Sequence, residues 1–149
     1  MKRDARGKAW EAYLTTTTRL TATIEASLKA KFQLSLPEYN VLLQAQRAGS
    51  GGIRLGSLAH EVVFSPSRLT HTLKRLSDRG LIERLPCPND ARGGLIVLTE
   101  AGATLFDAAA EVHRDLVRRL AIDGMTPNEA EALQSFYTRV ATRLSDTVR

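Results

Sequence analysis

The chain has 149 residues, 43% hydrophobic and 25% charged, with 10 Gly and 5 Pro; these are the proportions of one globular domain and exclude disordered and collagen-like chains. A count of 21 Lys and Arg against 16 Asp and Glu leaves a net charge of +5, a mild basic excess that fits a polyanionic partner. The excess is uneven: 8 cations face 4 anions over residues 1–49 and 7 face 5 over 50–100, but 6 face 7 over 101–149, so nucleic acid is not expected on the last third.

One cysteine, Cys87, closes no intrachain disulfide and cannot alone supply the paired thiolates of a structural zinc site, which points to a reducing, cytoplasmic home. Asp4 follows Met1, Lys2 and Arg3 where a secretory segment would turn apolar. The densest apolar run, Leu95-Ile96-Val97-Leu98, falls far short of the roughly 20 residues of a membrane helix. Neither a cofactor nor a metal is expected, because the three histidines, His60, His71 and His113, are scattered along the chain.

In chain order, Tyr13, Thr17, Leu20, Ile24, Leu28 and Phe32 recur at steps of three and four and predict a long first helix. The basic residues Lys2, Arg3, Arg6 and Lys8 before it are read as a solubilising end. Ser35-Leu36-Pro37-Glu38 has the capping-box spacing and opens a second helix that stops near Ala48, before a turn at Gly49-Ser50-Gly51-Gly52. Leu55, Leu58, Ala59 and Val62 predict a short helix. Ser65-Pro66 then starts another, with Leu69, Leu73 and Leu76 on its inner face and a stop at Gly80. Two short helices joined by a tight turn make a helix-turn-helix candidate. Leu81-Ile82-Glu83-Arg84-Leu85 and Leu95-Ile96-Val97-Leu98 read as strands of a hairpin, with Pro86 to Gly94 as its polar loop. Thr99 caps a long helix with the stripe Leu105, Ala109, Val112, Leu116 and Leu120; Thr126-Pro127-Asn128-Glu129 caps the last, which carries Leu133, Phe136, Val140 and Leu144. The first and last helices lack partners within one chain, so a two-fold homodimer is expected, with a monomeric bundle as the alternative.

On the helix that starts at Pro66, rotation by 100° per residue turns Ser67, Thr70, His71, Lys74 and Asp78 outward when the leucines face in. Arg68, Thr72, Arg75 and Arg79 lie along one flank, where guanidinium groups meet phosphates or base edges. Arg54-Leu55-Gly56-Ser57-Leu58-Ala59, Ser65 to Thr70, Leu73 to Arg84, Asp90-Ala91-Arg92 and Leu98-Thr99-Glu100-Ala101-Gly102 together resemble the MarR family of winged-helix transcription regulators. The resemblance covers about residues 35 to 102 by motif, and the flanking helices only by layout.

The resemblance implies a mainly α fold with a small β-hairpin wing (α+β): one 1–149 domain, with a winged helix-turn-helix over 35–99 and helical dimerisation regions over 5–34 and 100–147. It also implies that a homodimer binds double-stranded DNA at an inverted-repeat operator, with recognition helices about 34 Å apart in successive major grooves. Ser67, Arg68, Thr70, His71 and Lys74 are then assigned to the major groove, and Arg75, Arg79 and Arg84 to the backbone or wing support. The family's Asp-x-Arg motif puts Arg92 against the minor groove with Asp90 anchoring the wing, a role a planar cation suits in a narrow groove of enhanced negative potential. The family further implies a small anionic or phenolic effector in a cleft between dimerisation helices and winged helix, for which Trp10, Tyr13, Tyr39 and His60 are the candidates.

Enzyme readings fail on the residues. His60-Glu61-Val62-Val63-Phe64 begins a zinc-protease pattern, but Phe64 stands where the second ligand is needed. Gly51 to Ser57 has phosphate-loop glycine spacing, but Ser57 replaces the Lys. Two further alternatives are a redox-responsive regulator acting through Cys87 at the base of the wing, and a winged helix used only for protein contacts.

Overall fold

Asp4 opens the first helix by accepting the Gly7 N–H at 2.9 Å on its carboxylate. The computed structural model describes residues 4–62 and 65–147, with the side chains of residues 90–92 outside the described set; Lys2, Arg3 and Phe64 also lie outside it. It contains the helices α1 (Ala5–Phe32), α2 (Leu36–Ala48), α3 (Leu55–Val62), α4 (Pro66–Asp78), α5 (Glu100–Val117) and α6 (Pro127–Thr147). The strands are β1 (Ile53–Arg54), β2 (Ile82–Cys87) and β3 (Asp90–Leu98), in the antiparallel order β1-β3-β2. The chain divides into two compact units, Met1–Asp115 and Leu116–Arg149.

In the first unit each local signal has its physical counterpart. Gln33 ends α1 in the left-handed region at φ 55°, returning its N–H to the Leu28 and Lys29 carbonyls. The Ser35 hydroxyl accepts the Glu38 N–H at 3.2 Å while the Glu38 carboxylate accepts the Ser35 N–H at 2.8 Å, a complete capping box. Ser65 accepts the Arg68 N–H ahead of Pro66, and Thr99 accepts the Gly102 N–H at 3.0 Å. Gly102 has a packing reason: a Cβ there would overlap the Leu81 carbonyl oxygen, so α5 starts pressed against the chain between α4 and β2. Leu28, Leu34, Leu42, Leu58, Leu76 and Ile96 are fully buried and join α1, α2, α3, α4 and the sheet in one core.

The sheet differs from the sequence reading in two ways. Ile53 and Arg54, expected between a turn and a helix, pair with Ile96 and Leu95 as a third strand. Two residues are too few to show alternation. Gly52 makes the entry possible, at φ 73° and with only 2.9 Å between a would-be Cβ and Val97 Cγ1. The hairpin also runs further out than expected, turning at Pro88 and Asn89 rather than over Pro86 to Gly94. Pro86 pairs with Gly94 but Cys87 with Asp90, so residues 91–93 form a bulge in β3 near the wing's end. Arg92 therefore sits in this bulge, its side chain outside the described residues.

In the second unit a five-residue π-helical turn, Arg118–Ile122, interrupts what the sequence predicts as a continuous helix through Leu120. Thr126 and Glu129 form the expected reciprocal cap of α6. No residue of α6 is buried, and Leu133, Phe136, Tyr137 and Leu144 are all exposed. Among the described residues, no helix is long and apolar enough to cross a membrane.

Candidate nucleic-acid interface

Helix α4 has two unlike faces because its leucines recur at helical spacing. Leu69, Thr72 and Leu76 are buried, while Ser67, Thr70, His71, Lys74 and Asp78 all lie on exposed surface. The hydroxyl of exposed Thr70 donates to the Pro66 carbonyl at 2.9 Å, which leaves its oxygen able to accept a further hydrogen bond. Lys74 Nζ lies 2.6 Å from Asp78 Oδ2, with both side chains mostly in solvent; such a pair is weak enough for the ammonium to exchange partners. Arg84 on β2 lies across Gly94, with its Nε 2.5 Å from where a Cβ would stand. It also lines an apolar groove of about 630 Å³ shared with Leu55, Ala59, Leu73, Lys74 and Ile82.

The arginine flank of α4 is exposed, yet Arg75 and Arg79 bond to groups of their own chain. Arg75 Nε donates to Glu38 Oε1 at 2.9 Å, where the Glu38 side chain is 3% exposed and that of Arg75 58%. Arg79 donates from its two terminal nitrogens to the Gln33 and Phe32 carbonyls, each at 2.9 Å. Arg68 stands near Glu25, whose carboxyl is held below its ordinary range by Lys29 at 2.7 Å, by the Leu36 N–H at 2.9 Å, and to a smaller extent by the Arg68 charge. A groove of about 440 Å³ beside these groups is lined by Thr18, Thr21, Glu25, Pro37, Asn40 and Arg68. A smaller one of about 240 Å³ adds Ser35, Glu38, His71 and Arg75.

The four residues read as effector candidates fall in three places. Trp10 and Tyr13 pair with ring centroids 5.4 Å apart near the start of α1, and Trp10 is 45% exposed. Tyr39 is buried between Phe106 and His113, at centroid distances of 5.5 and 4.7 Å. Burial pushes the Tyr39 hydroxyl above its ordinary value and the His113 imidazole below its own. His60 is exposed on α3 beside Glu61. Cys87, expected at the base of the wing, is instead the last residue of β2, buried beside the turn at Pro88 and Asn89, because the strands pair further out than the loop composition suggested. Among the described residues no group of three or more His, Cys, Asp or Glu side chains could hold a metal ion.

Sequence reasoning missed Glu25, Glu38 and the Phe32 and Gln33 carbonyls as partners of the arginine flank. Glu38 did carry a signal as the last member of the capping box, but a local motif does not say what its second oxygen meets.

Comparison with known proteins agrees with this architecture. The model of the MarR family matches residues 34–93. The crystal structure of AbsC, a MarR family transcriptional regulator from Streptomyces coelicolor, superposes with a TM-score of 0.89 at 30% identity, covering 98% of each chain. Sco3205, a MarR family regulator from the same organism solved in complex with DNA, superposes with a TM-score of 0.86 at 27% identity over 91% of this chain and 84% of its own. The HTH-type transcriptional repressor IacR of Pseudomonas putida is 28% identical over 115 residues, which is 77% of this chain but only 66%, just under two thirds, of the relative.

Proposed function

Because the chain belongs to the MarR family, we propose that it is a sequence-specific regulator of transcription that binds double-stranded DNA as a homodimer at an inverted-repeat operator and acts as a repressor. The observation that carries the reading is α4 itself: a helix anchored on one side by buried Leu69 and Leu76, offering Ser67, Thr70, His71 and Lys74 on the other, next to a hairpin wing. Thr70 suits a thymine methyl or an amino donor, and His71 and Lys74 suit purine acceptors. Arg84 supports the wing from β2, and Arg92, in the β3 bulge with Asp90 at its start, is our candidate for the minor groove. The apolar side chains exposed on α6 and near the start of α1 supply surface for a second copy.

The effector site we propose is the groove between α1, α2 and α4 lined by Glu25, Asn40 and Arg68, which takes a small anionic or phenolic molecule. Binding there acts on DNA affinity only by favouring one spacing of the two recognition helices.

The test is selection from random duplex DNA at two salt concentrations. The expected result is a palindrome with half-sites about one turn apart and an affinity that falls steeply with salt. Recovery of no motif, with weak and salt-insensitive binding, would overturn the reading in favour of a protein-contact module.

A further inference from the structure

The sequence places Arg68, Arg75 and Arg79 on one stripe of α4, since seven and four further residues return a helix to nearly the same face. Such a stripe on a recognition helix reads as phosphate contacts. The structure gives two of these arginines a different occupation. The last carbonyls of a helix have no intrahelical donor and carry the negative end of its dipole. At the end of α1, the Lys29 carbonyl is met by the Gln33 N–H at 3.0 Å and the Leu28 carbonyl by the Leu34 N–H at 3.4 Å. The Phe32 and Gln33 carbonyls are met by Arg79, which thus caps α1 from 46 and 47 residues away. Five residues after Gln33, the buried Glu38 carboxylate divides its oxygens: Oε2 accepts the N-cap N–H of Ser35, and Oε1 accepts Arg75. Glu25 on α1 in turn accepts the Leu36 N–H at the start of α2.

We propose that Arg75 and Arg79 are positioning residues that clasp α4 to the corner where α1 ends and α2 begins, so that the separation of the two recognition helices follows α1. This rests on the DNA-binding reading above and adds to it a route of regulation. Charge-assisted bonds are short and directional, and both ends of the corner are sealed by the same helix. A shift of α1 therefore either carries α4 with it or leaves a buried carboxylate and two helix-end carbonyls without their donors. Half-site spacing is then a property of the clasp, while base preference belongs to the opposite face of α4.

The experiment measures binding of the full chain to the selected operator at its natural half-site spacing and at spacings changed by one and two base pairs. The proteins are wild type, Glu38→Gln, Arg75→Gln, Arg79→Ala and the Glu38→Gln/Arg75→Gln double variant, with thermal melting and salt dependence recorded for each. Glu38→Gln keeps an acceptor for Ser35, removes no cation and lies too deep to touch DNA, so it separates the clasp from phosphate contact.

The clasp predicts that wild type prefers one spacing by about tenfold or more and that Glu38→Gln reduces this to within about threefold, with base preference and salt slope unchanged. It also predicts that the double variant is no worse than either single variant and that Arg79→Ala behaves alike. An unchanged spacing preference in Glu38→Gln, beside a salt slope lowered by about 1 in Arg75→Gln, would overturn the clasp and make Arg75 a phosphate contact. A uniform loss at every spacing in step with melting temperature would overturn it in favour of a purely structural tie. Failure of wild type to select any motif would instead overturn the DNA reading, and this inference with it.

Discussion

Helices α4 and α6 both begin at a hydroxyl cap followed by Pro, and both carry apolar residues at helical spacing; yet α4 buries Leu69, Thr72 and Leu76 while α6 buries none of its residues. An amphipathic pattern promises a partner without naming it. For α4 the partner is the core of its own unit, with Leu76 fully buried. For α6, the 61% exposure of Leu144 and the open faces of Leu133 and Phe136 leave the pattern unanswered within the second unit. Exposed apolar surface of this kind usually marks an interface, which is why the proposed dimer is assigned to the terminal helices rather than to the winged helix.

The sharpest way to break this contrast is to charge α6. Phe136→Asp combined with Leu144→Asp should reduce the sedimentation mass to one chain at micromolar concentration, and should cost operator affinity about 100-fold or more as two linked heads become independent. Unchanged mass and affinity would return α6 to solvent and move the dimer contact to another surface.

Next in size, Leu76→Ala should destabilise the protein by about 2–5 kcal/mol in urea unfolding, because it empties a closed core site. Leu144→Ala should cost far less in dilute solution and become costlier as protein concentration rises. Equal effects of the two would erase the distinction between the regions.

A smaller and more selective change is expected on the outer face of α4. His71→Ala should lose about 1–3 kcal/mol of discrimination at one base pair while leaving the melting temperature nearly unchanged. A uniform loss over all sequences would reassign His71 to the phosphate backbone.

The smallest effect concerns pH. Burial on Tyr39 lowers the His113 pKa below its ordinary 6.5, so the folded chain prefers the neutral ring and the unfolded chain binds the proton more readily. The stability from this site is fully present above pH 6.5 and is lost as pH falls from there through the folded value. His113→Phe, which keeps a ring on Tyr39, should flatten that part of the melting profile; an unaltered slope would show that another group titrates there.

What the sequence determined by itself is what is decided within about four residues of chain. The caps at Ser35, Ser65, Thr99 and Thr126, the stop at Gly80 and the outward face of α4 are all legible, because a hydroxyl and the N–H it accepts lie three residues apart. The hairpin is legible as a change of period, but its turn is not, since the bulge at residues 91–93 depends on pairing rather than on composition. Only the tertiary structure decided that Glu38 is buried against Arg75, that Arg79 closes an α1 end 46 residues away, that Tyr39 is a core residue between Phe106 and His113, and that Ile53 pairs as a strand. The physical reason is common to these cases. Each partner is brought up by packing of a different element, so a charge or ring in the sequence declares what it can bind but not what the fold sets beside it.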